Sequence, residues 1–335
     1  MNFDQKILIV RFSSIGDIVQ STSPLRTIRD NYPDAQITFL TLDDYAPILE
    51  YHSDIDFLLS ISRKKTLKET WDLCEYIREK EYKIIFDLHN SLRSNILLSM
   101  SKSENYKLKK PRLNRSLLFY FHYNRFESSF SSLKMFHKYL GLIWKEGDSI
   151  PPTRLFVSLH EKNVAKSFLM SKGVLNKFIA IVPGAAWKQK LWSVEKYIKT
   201  MNRLQIPSVI LGSKKDIICE KIAKGVEKSI NLSGQTDLRL ALSLLSNSEY
   251  VIGSDTGLLH AAEALGKRVL MILGPTSKQT GAGVNLNNSI EIQKDIWCRP
   301  CSQNGSFPCY RKKQLCMDLI QPADVLDSLS KARML

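Results

Sequence analysis

Apolar positions along this chain fall in short continuous runs separated by amphipathic stretches, and that alternation predicts strands and helices in turn. Runs at 6–10 (KILIV), 36–40 (QITFL), 57–61 (FLLSI) and 83–87 (KIIFD) have the character of strands buried on both faces. After the first run, Ile18, Leu25 and Ile28 recur at helical spacing. A short helix is expected around 45–51 and a long polar one over 67–80. A second series runs through strands at 178–182, 208–211, 250–253 and 268–273, with helices at 161–171, 238–246 and 258–265. Strands alternating with helices through both halves predict an α/β chain of two doubly wound, Rossmann-like domains. The stretch Ser149-Ile150-Pro151-Pro152-Thr153 breaks the pattern and opens the connection between them. The expected division is 1–160 and 161–335.

Composition narrows the class. The chain has 335 residues, enough for two cores, and 44% of them are hydrophobic, as in a soluble globular protein. No apolar run approaches the ~20 residues that cross a bilayer. The N-terminal apolar run is short and preceded by Asp4, unlike a secretory signal, so a cytoplasmic location is expected. With 48 Lys and Arg against 33 Asp and Glu, the net charge of +15 favours an anionic partner, unless it reflects only a general lysine bias. No helix-turn-helix, RNA-recognition or zinc-finger signature accompanies the charge, which argues against nucleic acid.

The densest chemistry lies in 251–276, VIGSDTGLLHAAEALGKRVLMILGPT. A strand leads through Ser254-Asp255-Thr256-Gly257 into a helix, whose free N–H groups and positive dipole end can hold an anion. Gly257 allows close approach of a ligand, Thr256 adds a hydroxyl, and His260 lies four residues on, along the same helix face. Gly274-Pro275-Thr276 turns at the same sheet edge, where open α/β sheets bind ligands. The plainer alternative is an ordinary capped strand-to-helix turn.

The run closely resembles the signature of glycosyltransferase family 9, the bacterial heptosyltransferases, in which D-T-G-x-x-H-x-x-x-x-x-G, a strand and G-P-T grip a nucleotide-sugar diphosphate. Three further segments resemble that family in order. In 11–17, RFSSIGD, the resemblance makes Asp17 the base that activates the acceptor hydroxyl; the residue pattern alone equally allows an N-cap. In 183–192, PGAAWKQKLW, Lys190 matches the lysine that neutralises the donor diphosphate, with Ala185 and Ala186 where some relatives carry hydroxyls. In 231–238, NLSGQTDL, Ser233 and Thr236 would approach the nucleoside, and Thr236 or Asp237 would cap the next helix. The resemblance implies the GT-B fold, with two Rossmann-like domains facing a central cleft. It also implies metal-independent, inverting transfer of heptose from ADP-heptose to a hydroxyl of the lipopolysaccharide inner core at the cytoplasmic face of the inner membrane. Thr256 and Gly257 would hold the diphosphate with Lys190, Asp255 would bind sugar hydroxyls, and His260 would support the phosphate region. Alternatives are another sugar donor or a protein acceptor, or a non-catalytic nucleotide- or membrane-binding protein on the same scaffold.

An anionic glycolipid acceptor would meet the basic loop Arg63-Lys64-Lys65, Arg93, and Lys109, Lys110 and Arg112. His89, beside Arg93, is assigned no chemistry. Residues 107–125 hold five Lys or Arg up to Arg115, followed by LLFYF. That pairing suits an anionic membrane surface, or equally a solvated loop entering a core helix.

Of six cysteines, Cys74 and Cys219 stand alone in helical segments. Cys298, Cys301, Cys309 and Cys316 follow C-x2-C-x7-C-x6-C, a set that can build a structural zinc or iron site or remain as reduced thiols. Disulfides fit a reducing cytoplasm less well.

Overall fold

A computed structural model describes residues 5–64, 66–175 and 177–332. Lys65, part of the expected basic loop, lies outside them. The chain divides into two compact units. One holds the chain to Lys110 together with Ser132–Phe156; the other holds Pro111–Ser131 and the chain from Val157. The single boundary at 160 expected from sequence therefore gives way to three crossings, and the Pro151-Pro152 stretch stays in the first unit. There Thr22 Oγ1 accepts from the Arg154 N–H at 3.0 Å and the Ser23 hydroxyl donates to the Pro151 carbonyl.

In the first unit, strands β1 (Lys6–Val10), β2 (Gln36–Leu42), β3 (Phe57–Ile61), β4 (Ile84–Asp87) and β5 (Glu104–Lys107) form one parallel sheet in the order β3-β2-β1-β4-β5. Helices α1 (Ile15–Asn31), α2 (Leu67–Glu79) and α3 (Leu92–Leu97) accompany it, and α5 (Ser132–His137) packs on α1 after the excursion through α4 (Arg112–Phe121). Central β1 is buried from Ile7 to Val10, which is why it reads as an unbroken apolar run. Edge strand β5 reads ENYK and is held by its ladder to β4 and by Tyr106 stacking on Phe86 at 5.3 Å. Helix α1 opens at Ile15, three residues before the expected start, because Ser14 and Asp17 form a capping box.

In the second unit, β6 (Ile179–Val182), β7 (Ser208–Ile210), β8 (Ser229–Asn231), β9 (Tyr250–Ser254), β10 (Arg268–Ile272) and β11 (Ile290–Ile292) make a parallel sheet in the order β11-β10-β9-β6-β7-β8. Its helices are α6 (Leu159–Ser171), α7 (Val194–Leu204), α8 (Ile217–Gly225), α9 (Leu238–Asn247), α10 (Gly257–Ala264), α11 (Leu315–Asp318) and α12 (Pro322–Lys331). Period-two alternation sorts the strands into two cores. Ile179, Ile181, Ile252, Leu270 and Ile272 face one, and Ala180, Val182, Val251, Val269 and Met271 the other. At Gly253 a Cβ would stand 2.2 Å from the Val182 carbonyl oxygen, so only glycine lets β9 leave the sheet this close to β6. Helix α4 belongs to this unit, where the Arg115 guanidinium donates to the Gln279 carbonyl at 3.0 Å. Each sheet reverses its strand order once, at β1/β4 and at β6/β9, the places where such sheets bind ligands.

Candidate active site

At the β6/β9 reversal, three loops from neighbouring strands converge on one buried carboxylate. Asp255, just past β9, is 5% exposed. Its Oδ2 meets Lys190 Nζ at 2.6 Å and accepts the Thr276 hydroxyl at 2.8 Å; its Oδ1 lies 3.7 Å from His260 Nε2. Lys190 arrives from the loop after β6, His260 from the second turn of α10, and Thr276 from the turn after β10. Lys190 Nζ also donates to the Asp255 carbonyl at 3.3 Å. Burial pushes the Asp255 carboxyl up, but His260 and Lys190 outweigh it and hold the group well below the usual carboxylate range. It is therefore ionised, as a buried carboxylate must be paired to remain.

Thr256 is the N-cap of α10 without a side-chain cap bond, and Gly257 begins the helix; both are partly exposed. The amide donors of this first turn thus open beside the Lys190–Asp255 pair. The Asp255 oxygens turn inward to Lys190, Thr276 and His260. Ser233 Oγ donates to Asn231 Oδ1 at 2.7 Å within its own turn, and Asp237, not Thr236, caps α9 through the Leu240 N–H at 2.7 Å.

At the β1/β4 reversal the central group is Asp17, at the third position of α1. Its Oδ2 accepts from the Ser14 N–H at 3.2 Å and hydroxyl at 3.0 Å, and pairs with Arg11 at 2.8 Å. Asp17 is thus the reciprocal partner in a capping box, where the sequence suggested an N-cap. Its side chain keeps 42% exposure, and Oδ1 makes no hydrogen bond among the described residues. Desolvation raises its pKa, while Arg11 and the Ser14 donors lower it further, leaving the carboxylate below its usual range. Solvent at this half-exposed group moderates that shift.

Arg11, Lys110, Arg93 and Asp17 all lie close enough to act on His89. Arg11 also donates to the Leu88 carbonyl at 2.5 Å, and Lys110 Nζ to the His89 carbonyl at 2.7 Å. Arg93 stacks on Phe12 at 5.4 Å and donates to the Ser62 carbonyl at 2.7 Å, tying the ends of β3 and β4 together. Burial, then Arg11 and Lys110, push the His89 pKa down to about 4, so the ring is neutral at physiological pH. Arg63 pairs with Asp44 at 2.9 Å, and Lys64 and Lys109 are exposed. Arg112 is exposed and, with α4, is grouped in the second unit, whereas Lys109 and Lys110 are grouped in the first. Sequence reasoning gave no role to Arg11, which follows β1, or to the Thr276 hydroxyl. Each occupies the carboxyl end of a strand beside a reversal, and that position was the available signal.

All four clustered cysteines line one cavity, and all are free thiols. Among the described residues, however, no group of His, Cys, Asp and Glu is arranged to hold a metal ion. The expected zinc or iron site is therefore not formed by the thiols as placed. Gln314 Nε2 donates to Cys316 Sγ at 3.6 Å, and burial with the neighbouring Cys316, Cys298 and Cys309 pushes the Cys301 thiol up to about 11.

Residues 70–310 match the family model described as Glycosyltransferase family 9 (heptosyltransferase). Among curated proteins, the chain is 27% identical over 298 residues to lipooligosaccharide heptosyltransferase 2 of Haemophilus ducreyi, covering 81% of this chain and 84% of that one. It is 25% identical over 343 residues to lipopolysaccharide heptosyltransferase 1 of Campylobacter coli, covering 96% and 97%. The solved structure of E. coli ADP-heptose LPS heptosyltransferase II superposes with a TM-score of 0.74 over 98% of both chains, at 22% identity. Two parallel Rossmann-like units, the loops at their strand reversals and these matches agree: the chain is a GT-B enzyme and belongs to glycosyltransferase family 9.

Proposed function

We propose that the protein transfers a heptose from ADP-heptose to a hydroxyl of the lipopolysaccharide inner core, with inversion, at the cytoplasmic face of the inner membrane. The observation that carries this reading is the Lys190–Asp255 pair beside the open first turn of α10. A cation held by a buried carboxylate, next to the amide donors at the start of a helix, suits a diphosphate whose charge grows as it departs.

In this reading Asp17 Oδ1 accepts the proton of the acceptor hydroxyl while that oxygen bonds to the anomeric carbon of the heptose. The bond from that carbon to the β-phosphate oxygen breaks, and its electron pair leaves with ADP toward Lys190, Thr256 and the Gly257 amide. Asp255 and Thr276 act as positioning residues that aim Lys190, and His260 stands behind Asp255. Arg11, Arg93 and Lys110 supply the positive field for an acidic acceptor. No step uses the cysteines. The relatives, lipooligosaccharide and lipopolysaccharide heptosyltransferases, support heptose and a lipopolysaccharide acceptor.

The test is incubation of the purified protein with ADP-heptose and a heptose-free inner-core acceptor, read by mass spectrometry. Addition of one heptose with release of ADP is expected. Transfer only from a UDP-linked donor, or only to a protein acceptor, overturns the substrate assignment within the family.

A further inference from the structure

Two segments of the second unit that lie far apart in sequence form one exposed aromatic and basic face. Helix α4 and the residues after it present Leu113 at 68% exposure, Tyr120 at 65% and Phe121 at 74%; the cysteine-rich loop presents Trp297 at 65% and Tyr310 at 64%. Ring contacts join the two. Tyr120 and Phe307 lie 6.2 Å apart, His122 meets Trp297 edge-on at 4.8 Å, and Trp297 is 6.4 Å from Tyr310. The Arg311 guanidinium sits over the Trp297 ring at 5.1 Å. Large apolar groups so exposed and so contiguous are unusual on a soluble surface unless something covers them.

Charge identifies the cover. Neither 107–126 nor 296–317 contains a single Asp or Glu, while the parts of those segments within this unit carry exposed Arg112, Arg125, Lys312 and Lys313. Trp and Tyr rings flanked by cations, with Leu and Phe projecting beyond them, match a lipid interface, where rings sit at headgroup depth and cations meet phosphates. Nucleic acid would use the rings and cations but leave Leu113 without a partner. Among the described residues no helix is long and apolar enough to cross a membrane, so attachment through this unit would rest on a surface of this kind.

We propose that the face formed by α4 and the loop around Trp297 and Tyr310 docks the enzyme onto an anionic phospholipid surface. This rests on, and sharpens, the membrane location in the function proposed above. It also moves Arg112 from acceptor recognition to membrane docking. The cysteine cavity gains a role as the scaffold of the loop, since Trp297 precedes Cys298 and Tyr310 follows Cys309.

Co-sedimentation with vesicles of phosphatidylcholine alone, or mixed equally with phosphatidylglycerol, tests it on the full-length protein. Binding to the mixed vesicles only is expected. Lys312→Gln with Lys313→Gln should weaken it roughly thirtyfold, and Trp297→Ser with Phe121→Ser should release the protein at a salt concentration the wild type tolerates. Both variants should keep wild-type ADP affinity, which confirms folding of this unit, and wild-type turnover on a lipid-free acceptor. Vesicle binding unchanged by either variant, or absent in the wild type, overturns the proposal; lipid-free turnover reports separately on the transferase reading. A dimer that dissociates on Trp297→Ser would instead assign the face to a second copy and also overturn it.

Discussion

The two sheets place a carboxylate at equivalent points and treat it in opposite ways. Asp17 and Asp255 each follow the strand at which strand order reverses, and each pairs with a cation, at 2.8 Å and 2.6 Å. Asp17 keeps 42% side-chain exposure and one oxygen without a hydrogen bond among the described residues, whereas Asp255 keeps 6% and turns both oxygens to protein groups. A carboxylate that is to take a proton from a substrate must reach it, so exposure with an open oxygen suits a base. A carboxylate that is to aim a lysine must be immobile, so burial with full pairing suits a support. The same residue type at the same topological position thus meets opposite surroundings, and these suit the two different roles proposed for it.

The sharpest way to break this comparison is to neutralise each carboxylate. Asp17→Asn should lower kcat by about a thousandfold, the range of a lost general base, with ADP affinity unchanged. Steady-state kinetics beside calorimetry check this, and a fall in ADP affinity of the same size would move Asp17 out of catalysis. Asp255→Ala leaves Lys190 buried without its partner, so thermal or denaturant unfolding should show a loss of about 3 kcal/mol. Equal stability would deny Asp255 its supporting role.

Smaller changes refine the picture. Glu161 and Arg239 pair at 2.7 Å between α6 and α9, and that bond, against some desolvation, brings the Glu161 pKa down to about 2. A folded pKa below the unfolded one gives stability that is complete above the unfolded value near 4.5 and is lost as pH falls toward about 2. Glu161→Gln should therefore cost roughly 2 kcal/mol at pH 7 and little at pH 2, as measured by urea unfolding at both. Thr276→Val removes one donor to Asp255 and should weaken ADP binding only about fivefold, a loss near 1 kcal/mol.

Much of the fold was legible in the sequence because the central strands are buried on both faces and read as apolar runs. Val251 to Thr276 announced strand, turn, helix and strand in one stretch. Strand β5 escaped because ENYK has no apolar period, and it is placed by its ladder to β4 and by Tyr106 stacking on Phe86. The return of 111–131 to the second unit depends on contacts of Arg115 and Tyr120 with residues far along the chain, which no local pattern encodes. The inward turn of Asp255 escaped for the same reason. In sequence it is one more polar residue in a turn, and only Lys190, some sixty-five positions earlier, shows where it points.

The most direct measurement is calorimetric titration of the wild type, Asp17→Asn and Lys190→Ala with ADP and with UDP. The expected result is ADP preferred over UDP, with Asp17→Asn indistinguishable from wild type and Lys190→Ala weaker by about thirtyfold, the loss of one charge-assisted contact. Affinity lost in Asp17→Asn and retained in Lys190→Ala would reverse the roles given to the two carboxylate sites and contradict the division of labour between them.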